Sequence, residues 1–417
     1  MNAEVRPVPR RVRPYEGTQL RRTPFMKLMM GRDPSPTRDE YNEMVAALWQ
    51  GDAPMDTLLD WMYEIGPREG RKLYEQALER GIDSVADAPK PLRDFFRMIE
   101  STPSWVDHAL IEDGVSFIHR TGLAGPYVLR DFALMGGYLL SGFNHALVMT
   151  GALNKGAAQR IAETGKWWVD CTEHDGLSRF GVGFKTTLRV RMVHGMVRRH
   201  LPTRPEWDNS EWGIPVNQTD MLATYLAFGP IILVGMRAMG IPVTPHESRA
   251  VMHLWKYAAW LMGVEEKWLV DGERDGLVRL YQTFLTQSRA DWTSAELGRA
   301  LSEEPLQRQF SWGKYLPPLQ ALRRKVLYHQ HLSNSSLFLN RQQMRKLGLP
   351  DSVFPWFPLL TMAPRFASYS LQRFNPLLKK RLEREGRKVQ LAALQSMWGD
   401  KQQDIINPGD RHPAHVG

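Results

Sequence analysis

Apolar residues in this chain recur at every third and fourth position, and the recurrences begin at Thr–x–x–Glu boxes that can close the first turn of a helix. Thr37-Arg38-Asp39-Glu40 opens a run with Met44, Val45 and Leu48 on one face, closed by Gly51. Thr244-Pro245-His246-Glu247 opens another, with proline at the first helical position, feeding Ala250, Val251, Leu254, Trp255 and Ala258. Thr293-Ser294-Ala295-Glu296 reads as a third box. Helices are expected from Met55 to Ile65, from Arg68 to Arg80 with Gly81 as C-cap, and from Leu92 to Ile99. No sustained alternation, hairpin dipeptide between apolar runs or fixed-period repeat competes with this pattern. The fold class is therefore all-α.

The chain divides into three regions. Residues 1–36 form a basic, Pro-rich arm, 37–330 a helical body, and 331–417 a basic, aromatic helical C-terminal region with Phe354-Pro355-Trp356-Phe357 and Lys379-Lys380-Arg381. Arg10-Arg11 and Arg21-Arg22 look like twin-arginine export pairs, but neither precedes the ~7 to 15 apolar residues of a signal core. Phe132–Phe143 and Met221–Val243 fall short of the ~18 uninterrupted apolar residues of a membrane span and read as buried core helices. A cytoplasmic protein is the expectation.

Composition excludes several chemistries. The single cysteine, Cys171, rules out an internal disulfide, a four-thiolate iron–sulfur cluster, a zinc site needing two sulfurs and Cys-x-x-Cys-His haem attachment. The chain has no Walker loop, no Gly-x-Gly-x-x-Gly before a helix, no His-Glu-x-x-His and no Gly-x-Ser-x-Gly. A net charge of +9 favours an acidic ligand or anionic lipid. Nucleic acid is not expected, because the charge is dispersed and no nucleic-acid-binding motif appears. Cys171 with His174 could form a nucleophilic pair, although a lone cysteine is more often a small buried hydrophobe.

Two helical stretches carry chemistry. Along Lys185–His200, His194 has Val190 and Arg191 one turn before it and Val197 and Arg198 one turn after it. Such an imidazole can enter an apolar slot while the arginines reach anions at its rim, an arrangement suited to haem iron and propionates. A core histidine on a helix with solvated arginines gives the same pattern. Further upstream, Arg160, Glu163 and Thr164 fall at i, i+3 and i+4, placing guanidinium, carboxylate and hydroxyl together. At a surface this is an ordinary intrahelical ion pair. Facing His194 in the interior, it would offer two donors for bound dioxygen and a carboxylate to take a proton. His246 with His253, and His329 with His331, are spaced poorly for a metal.

Arg160-x-x-x-Thr164 with His194 thirty residues on resembles the core of the latex-clearing rubber oxygenases and MpaB-type oxygenases. Trp212-Gly213-Ile214-Pro215-Val216-Asn217-Gln218-Thr219-Asp220 and His253-Leu254-Trp255-Lys256-Tyr257 are similar to the downstream segments of that family. The resemblance covers about residues 125–270. It implies a globin-like helical core holding non-covalent haem b, with His194 as proximal iron ligand and Arg160 and Thr164 on the distal side. It also implies cleavage of a carbon–carbon double bond by dioxygen. Glu163 departs from the pattern: it stands where rubber oxygenases carry a distal lysine, and a carboxylate cannot donate as an ammonium does. Arg191 and Arg198 are expected as propionate partners. With no evident export signal, a small apolar isoprenoid or unsaturated lipid is the expected substrate.

Two further readings remain. One is a haem-free helical protein that binds a lipid or membrane surface through Lys379-Lys380-Arg381 and neighbouring aromatics; the other is a haem peroxidase or haem carrier using the same histidine.

Overall fold

The Thr37 hydroxyl accepts from the Glu40 N–H while the Glu40 carboxylate accepts from the Thr37 N–H, and a helix runs from Arg38 to Ala47. The same reciprocal box at Thr244 and Glu247 starts the long helix Pro245–Leu261. In this computed structural model, which describes residues 7–19, 24–151, 157–287 and 289–399, all regular elements are helical and no strand occurs among the described residues. The all-α expectation holds. Helices span Ala53–Glu64, Pro67–Arg80 and Lys90–Glu100, with Gly81 at φ 87° ending the second. The third predicted box is corrected. Asp291, not Thr293, caps the helix Trp292–Glu303, because its carboxylate accepts from the Thr293 N–H and hydroxyl at once.

At the centre the helix His108–Arg120 crosses Pro245–Leu261 at Gly114, where an added Cβ would lie 2.7 Å from the Ala250 carbonyl oxygen. Only glycine permits that approach. A second close crossing sits at Gly386, where the C-terminal helix Pro376–Trp398 rides over the His119 carbonyl. Gln390 on that helix donates to the Ile118 and Gly122 carbonyls, tying the C-terminal helix to the end of His108–Arg120.

The two most apolar segments line the interior but differ from simple core helices. Phe132–Phe143 spans the end of one helix, Ala124–Gly137, and the start of Ser141–Met149, which meet at 101°. Gln218–Ala238 is long and apolar enough to cross a bilayer, yet 61% of its most apolar window is buried here. Both helices contain a π-helical stretch, Leu129–Leu134 and Ala227–Ile231, and these stretches touch each other.

The arm, as far as residues 7–19 describe it, lies on the body. Arg11 is 5% exposed and donates to Gln287, to the Trp212 carbonyl and to Asp220. Residues 1–6 and 20–23 lie outside the described residues. The boundary expected at 330 falls inside the helix Pro317–Phe338, so the body does not end there. The reason is His331, which is 2% exposed and hydrogen-bonded to Asp131 in the core.

Candidate active site

A cavity of about 2040 Å³ runs through the helical body. One wall is the helix Val182–His200, which presents Val190, Val193, His194 and Val197. Facing it, the helix Ala157–Cys171 presents Arg160, Ile161, Glu163, Thr164, Trp167 and Trp168. The four residues singled out as an iron ligand and a distal set therefore line one void.

His194 lies half-buried on the cavity wall, and its Nδ1 is enclosed without a hydrogen-bond partner. Burial, reinforced by the charges of Arg198 and Arg160 and opposed by Asp52, pulls its pKa down to about 4. The ring is neutral at pH 7, the form that binds a metal. That Arg160 acts electrostatically on His194 ties the two helices to one site. Arg160 also donates to the Thr150 hydroxyl at 3.0 Å, and Gln159 donates to Glu163 at 3.3 Å.

Arg191 and Arg198 are not brought to the cavity, and the propionate role expected of them is corrected. At ~100° per residue, Arg191 and Arg198 sit about 40 to 60° to one side of His194, while Val190 and Val197 sit as far to the other. The valine side faces the void. The arginine side faces the helix Ala53–Glu64, where Arg191 forms two bonds to Asp52 at 2.6 and 2.8 Å and donates to the Leu261 carbonyl. Arg198 grips Asp56 at 2.7 to 2.9 Å and donates to the Val216 carbonyl. Cations that do line the cavity include Arg68, Arg71 and Arg204.

The nucleophilic reading of Cys171 is also corrected. Its thiol is fully buried beside the Thr187 hydroxyl at 3.4 Å, and burial pushes its pKa far up. His174 instead pairs with Glu112 at 2.7 Å. Of the other histidines, His246 meets Asp113 and His253 accepts from the Asp107 N–H.

The stretch Trp212–Asp220 has a structural task. Gln218 donates to the carbonyls of Gly51 and Gly263, Thr219 donates to Met44, and Asn217 caps the helix Gln218–Leu226.

Sequence reasoning missed a buried ionic network on another part of the cavity wall. Asp131, 0% exposed, accepts from Arg130 at 2.6 Å, from His331 Nδ1 at 2.8 Å and from Asn334 at 2.9 Å. Arg308 donates twice to Glu304, at 2.8 and 2.9 Å, and Arg130 also approaches Glu304 at 3.3 Å. Burial alone would raise the Glu304 pKa, but Arg308 and Arg130 outweigh it and hold it at about 2. Two cations and two carboxylates already balance. Burial and Arg130, against the pull of Asp131, accordingly keep His331 neutral, with a pKa of about 4.

The comparisons with known proteins agree on one lineage. The rubber oxygenase of Streptomyces sp. (strain K30) is 28% identical over 200 residues, 47% of this chain and 47% of that protein, so the match spans about half the length of each. The solved latex clearing protein LCP, in its closed state, superposes with a TM-score of 0.60 at 20% identity, covering 83% of this chain and 91% of that one, which is a likeness of fold. Residues 119–367, more than half of the chain, match the family described as "ER-bound oxygenase mpaB/B'/Rubber oxygenase, catalytic domain", and they include both cavity helices. On that match, the chain belongs to the mpaB/B'/rubber oxygenase family.

Proposed function

We propose that this protein is a haem b-dependent oxygenase that uses dioxygen to cleave or oxygenate a carbon–carbon double bond of an apolar, isoprenoid-like substrate. The observation that carries the reading is His194: a neutral imidazole on the wall of a large apolar cavity, across from Arg160 and Thr164 on the opposite helix. The ring is not fully buried and lines the void, where a group filling the cavity can reach it. Haem fits, since its iron takes an imidazole and its macrocycle takes walls of valine and tryptophan. When bound, it supplies the iron at which dioxygen is activated.

The chain's own residues then have separable tasks. His194 holds the cofactor from the Val182–His200 side. Arg160 and Thr164, from the opposite helix, can donate to oxygen atoms that gain negative charge, and the apolar lining excludes water, which strengthens those bonds. Glu163 can take a proton but cannot replace the ammonium that rubber oxygenases carry at this position. Arg68, Arg71 and Arg204 are the cations near which the anionic edge of the cofactor would lie.

The test is a visible spectrum and pyridine haemochrome assay of the purified protein. About one haem b per chain is expected, with the Soret band lost in His194→Ala while far-ultraviolet circular dichroism is unchanged. Full haem content in that variant would refute the assignment. Oxygen uptake with an unsaturated isoprenoid, in the absence of peroxide, separates an oxygenase from a peroxidase or haem carrier.

A second reading, contact with an anionic membrane surface, is favoured by one observation. Phe374 (87% exposed) and Leu377 (79%), with Leu360, Phe366 and Leu371, leave an apolar surface bare beside Lys379, Lys380 and Arg381. Apolar groups flanked by cations suit the interface of an anionic bilayer. The two readings are compatible, because an apolar substrate resides in such a bilayer.

A further inference from the structure

Away from the cavity, three residues remote in sequence meet beneath the C-terminal helix. His119 ends the helix His108–Arg120, His174 follows the helix Ala157–Cys171, and Glu383 lies on Pro376–Trp398. One ligand atom from each lies within 4.8 Å of the other two, and the imidazole rings stand edge to face at 5.1 Å. None of the three lines the cavity.

The hydrogen bonds fix which nitrogens are free. A carbonyl oxygen only accepts, so His119 Nε2, 2.5 Å from the Thr172 oxygen, carries the proton and leaves Nδ1 as a lone pair. His174 Nδ1 lies 2.7 Å from the Glu112 carboxylate and donates to it, so that in the neutral ring Nε2 is the lone pair. That Nε2 lies 3.4 Å from Glu383 Oε1. Either a proton on Nε2 or a bound cation can bridge that pair of atoms. The separation matches the ~3.3 Å edge of a tetrahedron built on Zn–N bonds of ~2.05 Å. Each imidazole is also braced through its other nitrogen, one by a carboxylate and one by a carbonyl, as metal-bound histidines are. Ser116 donates to Glu383 at 2.8 Å and steadies the third arm. The neighbouring cation, Arg387, is occupied by Glu173 and the Val169 carbonyl.

We propose that His119, His174 and Glu383 bind a divalent transition-metal ion of the zinc class, with solvent completing the tetrahedron, as a clip that fastens the C-terminal helix to the body. Two imidazoles and one carboxylate favour zinc over magnesium or calcium, which prefer all-oxygen sets. The close crossing at Gly386, one turn beyond Glu383, brings the third ligand within reach.

The test is equilibrium dialysis of the chelator-stripped, full-length protein against Zn²⁺, with metal counted by mass spectrometry and melting temperature followed in parallel. One zinc per chain is expected, undiminished by tenfold excess Mg²⁺, with a raised melting temperature. His174→Ala and Glu383→Gln alter partly exposed residues and should keep the fold, yet each should weaken binding at least tenfold and abolish the thermal shift. His194→Ala should bind zinc normally, which separates this site from the haem reading. No stoichiometric zinc, or the same zinc content in both ligand variants, would overturn the proposal.

Discussion

Replacing Asp52 by alanine tests whether the arginines beside His194 serve the fold or the cofactor. Asp52 and Arg191 have side chains 2% and 4% exposed, and the pair shares two bonds of 2.6 and 2.8 Å. Removing the carboxylate leaves a buried guanidinium with the Leu261 carbonyl as its remaining acceptor, a loss of about 3 to 5 kcal/mol. Asp52 also caps the helix Ala53–Glu64 through the Met55 N–H, and losing a cap costs about 1 kcal/mol more. Unfolding a chain of 417 residues carries an entropy of about 0.9 kcal/mol per kelvin. Asp52→Ala should therefore lower the melting temperature by about 4 to 7 °C. Arg191→Met should be destabilising for the mirror-image reason. The double variant, which removes both charges and keeps apolar volume, should recover to within about 1 to 2 °C of the parent. The assay is calorimetry of the four proteins, with haem content measured alongside. Additive losses in the double variant would refute the ion-pair account. A double variant of parental stability that fails to hold haem would return Arg191 to the cofactor.

Two further outcomes concern the buried network and the exposed apolar surface. His331 is held neutral to a pKa of about 4 in the fold against about 6.5 unfolded, so unfolding takes up a proton between those values. Stability from this group is complete above pH 6.5 and is lost as the pH falls towards 4; His331→Gln should flatten that slope by up to about 1.4 kcal/mol per pH unit in acid unfolding curves, and an unchanged slope would contradict a neutral buried ring. For the exposed apolar surface, Phe374→Asp with Leu377→Asp should abolish co-flotation with anionic vesicles at low salt while leaving the Soret band intact; co-flotation equal to the parent would remove this surface from the membrane reading.

The sequence made the helices legible because caps and 3.6-residue periodicity are local. It also made the valine-flanked His194 and the Arg160–Thr164 face legible, since three- and four-residue spacings report neighbours on one helix. What it could not convey was direction. Arg191 and Val190 are adjacent positions one turn from His194, yet they end on opposite sides of it, and only the packing of the helix Ala53–Glu64 decides which side meets the void. The buried network was invisible for a related reason. Arg130 and Asp131 sit in an apolar run, Glu304 and Arg308 have the spacing of a surface ion pair, and His331 resembles any histidine of an exposed helix until it is set against residue 131. The cap at Asp291 was missed because Thr293, with Glu296 three residues on, mimics a box that the preceding aspartate overrides.

The touching π-helical stretches Leu129–Leu134 and Ala227–Ile231 have a consequence for chain length. A π turn accommodates about one residue more than an α turn, so each stretch amounts to a single-residue insertion in an otherwise regular helix. Deleting one residue from the first would let the stretch close into α turns with Tyr127 and Gly137 still in phase, so the change would fall on the residues between them, of which Leu129, Arg130, Ala133 and Leu134 line the cavity. Relatives of this chain that differ by one residue in either segment would therefore present a different wall to their substrates, with no substitution at any wall position. In this architecture, the alignment gap becomes a specificity determinant.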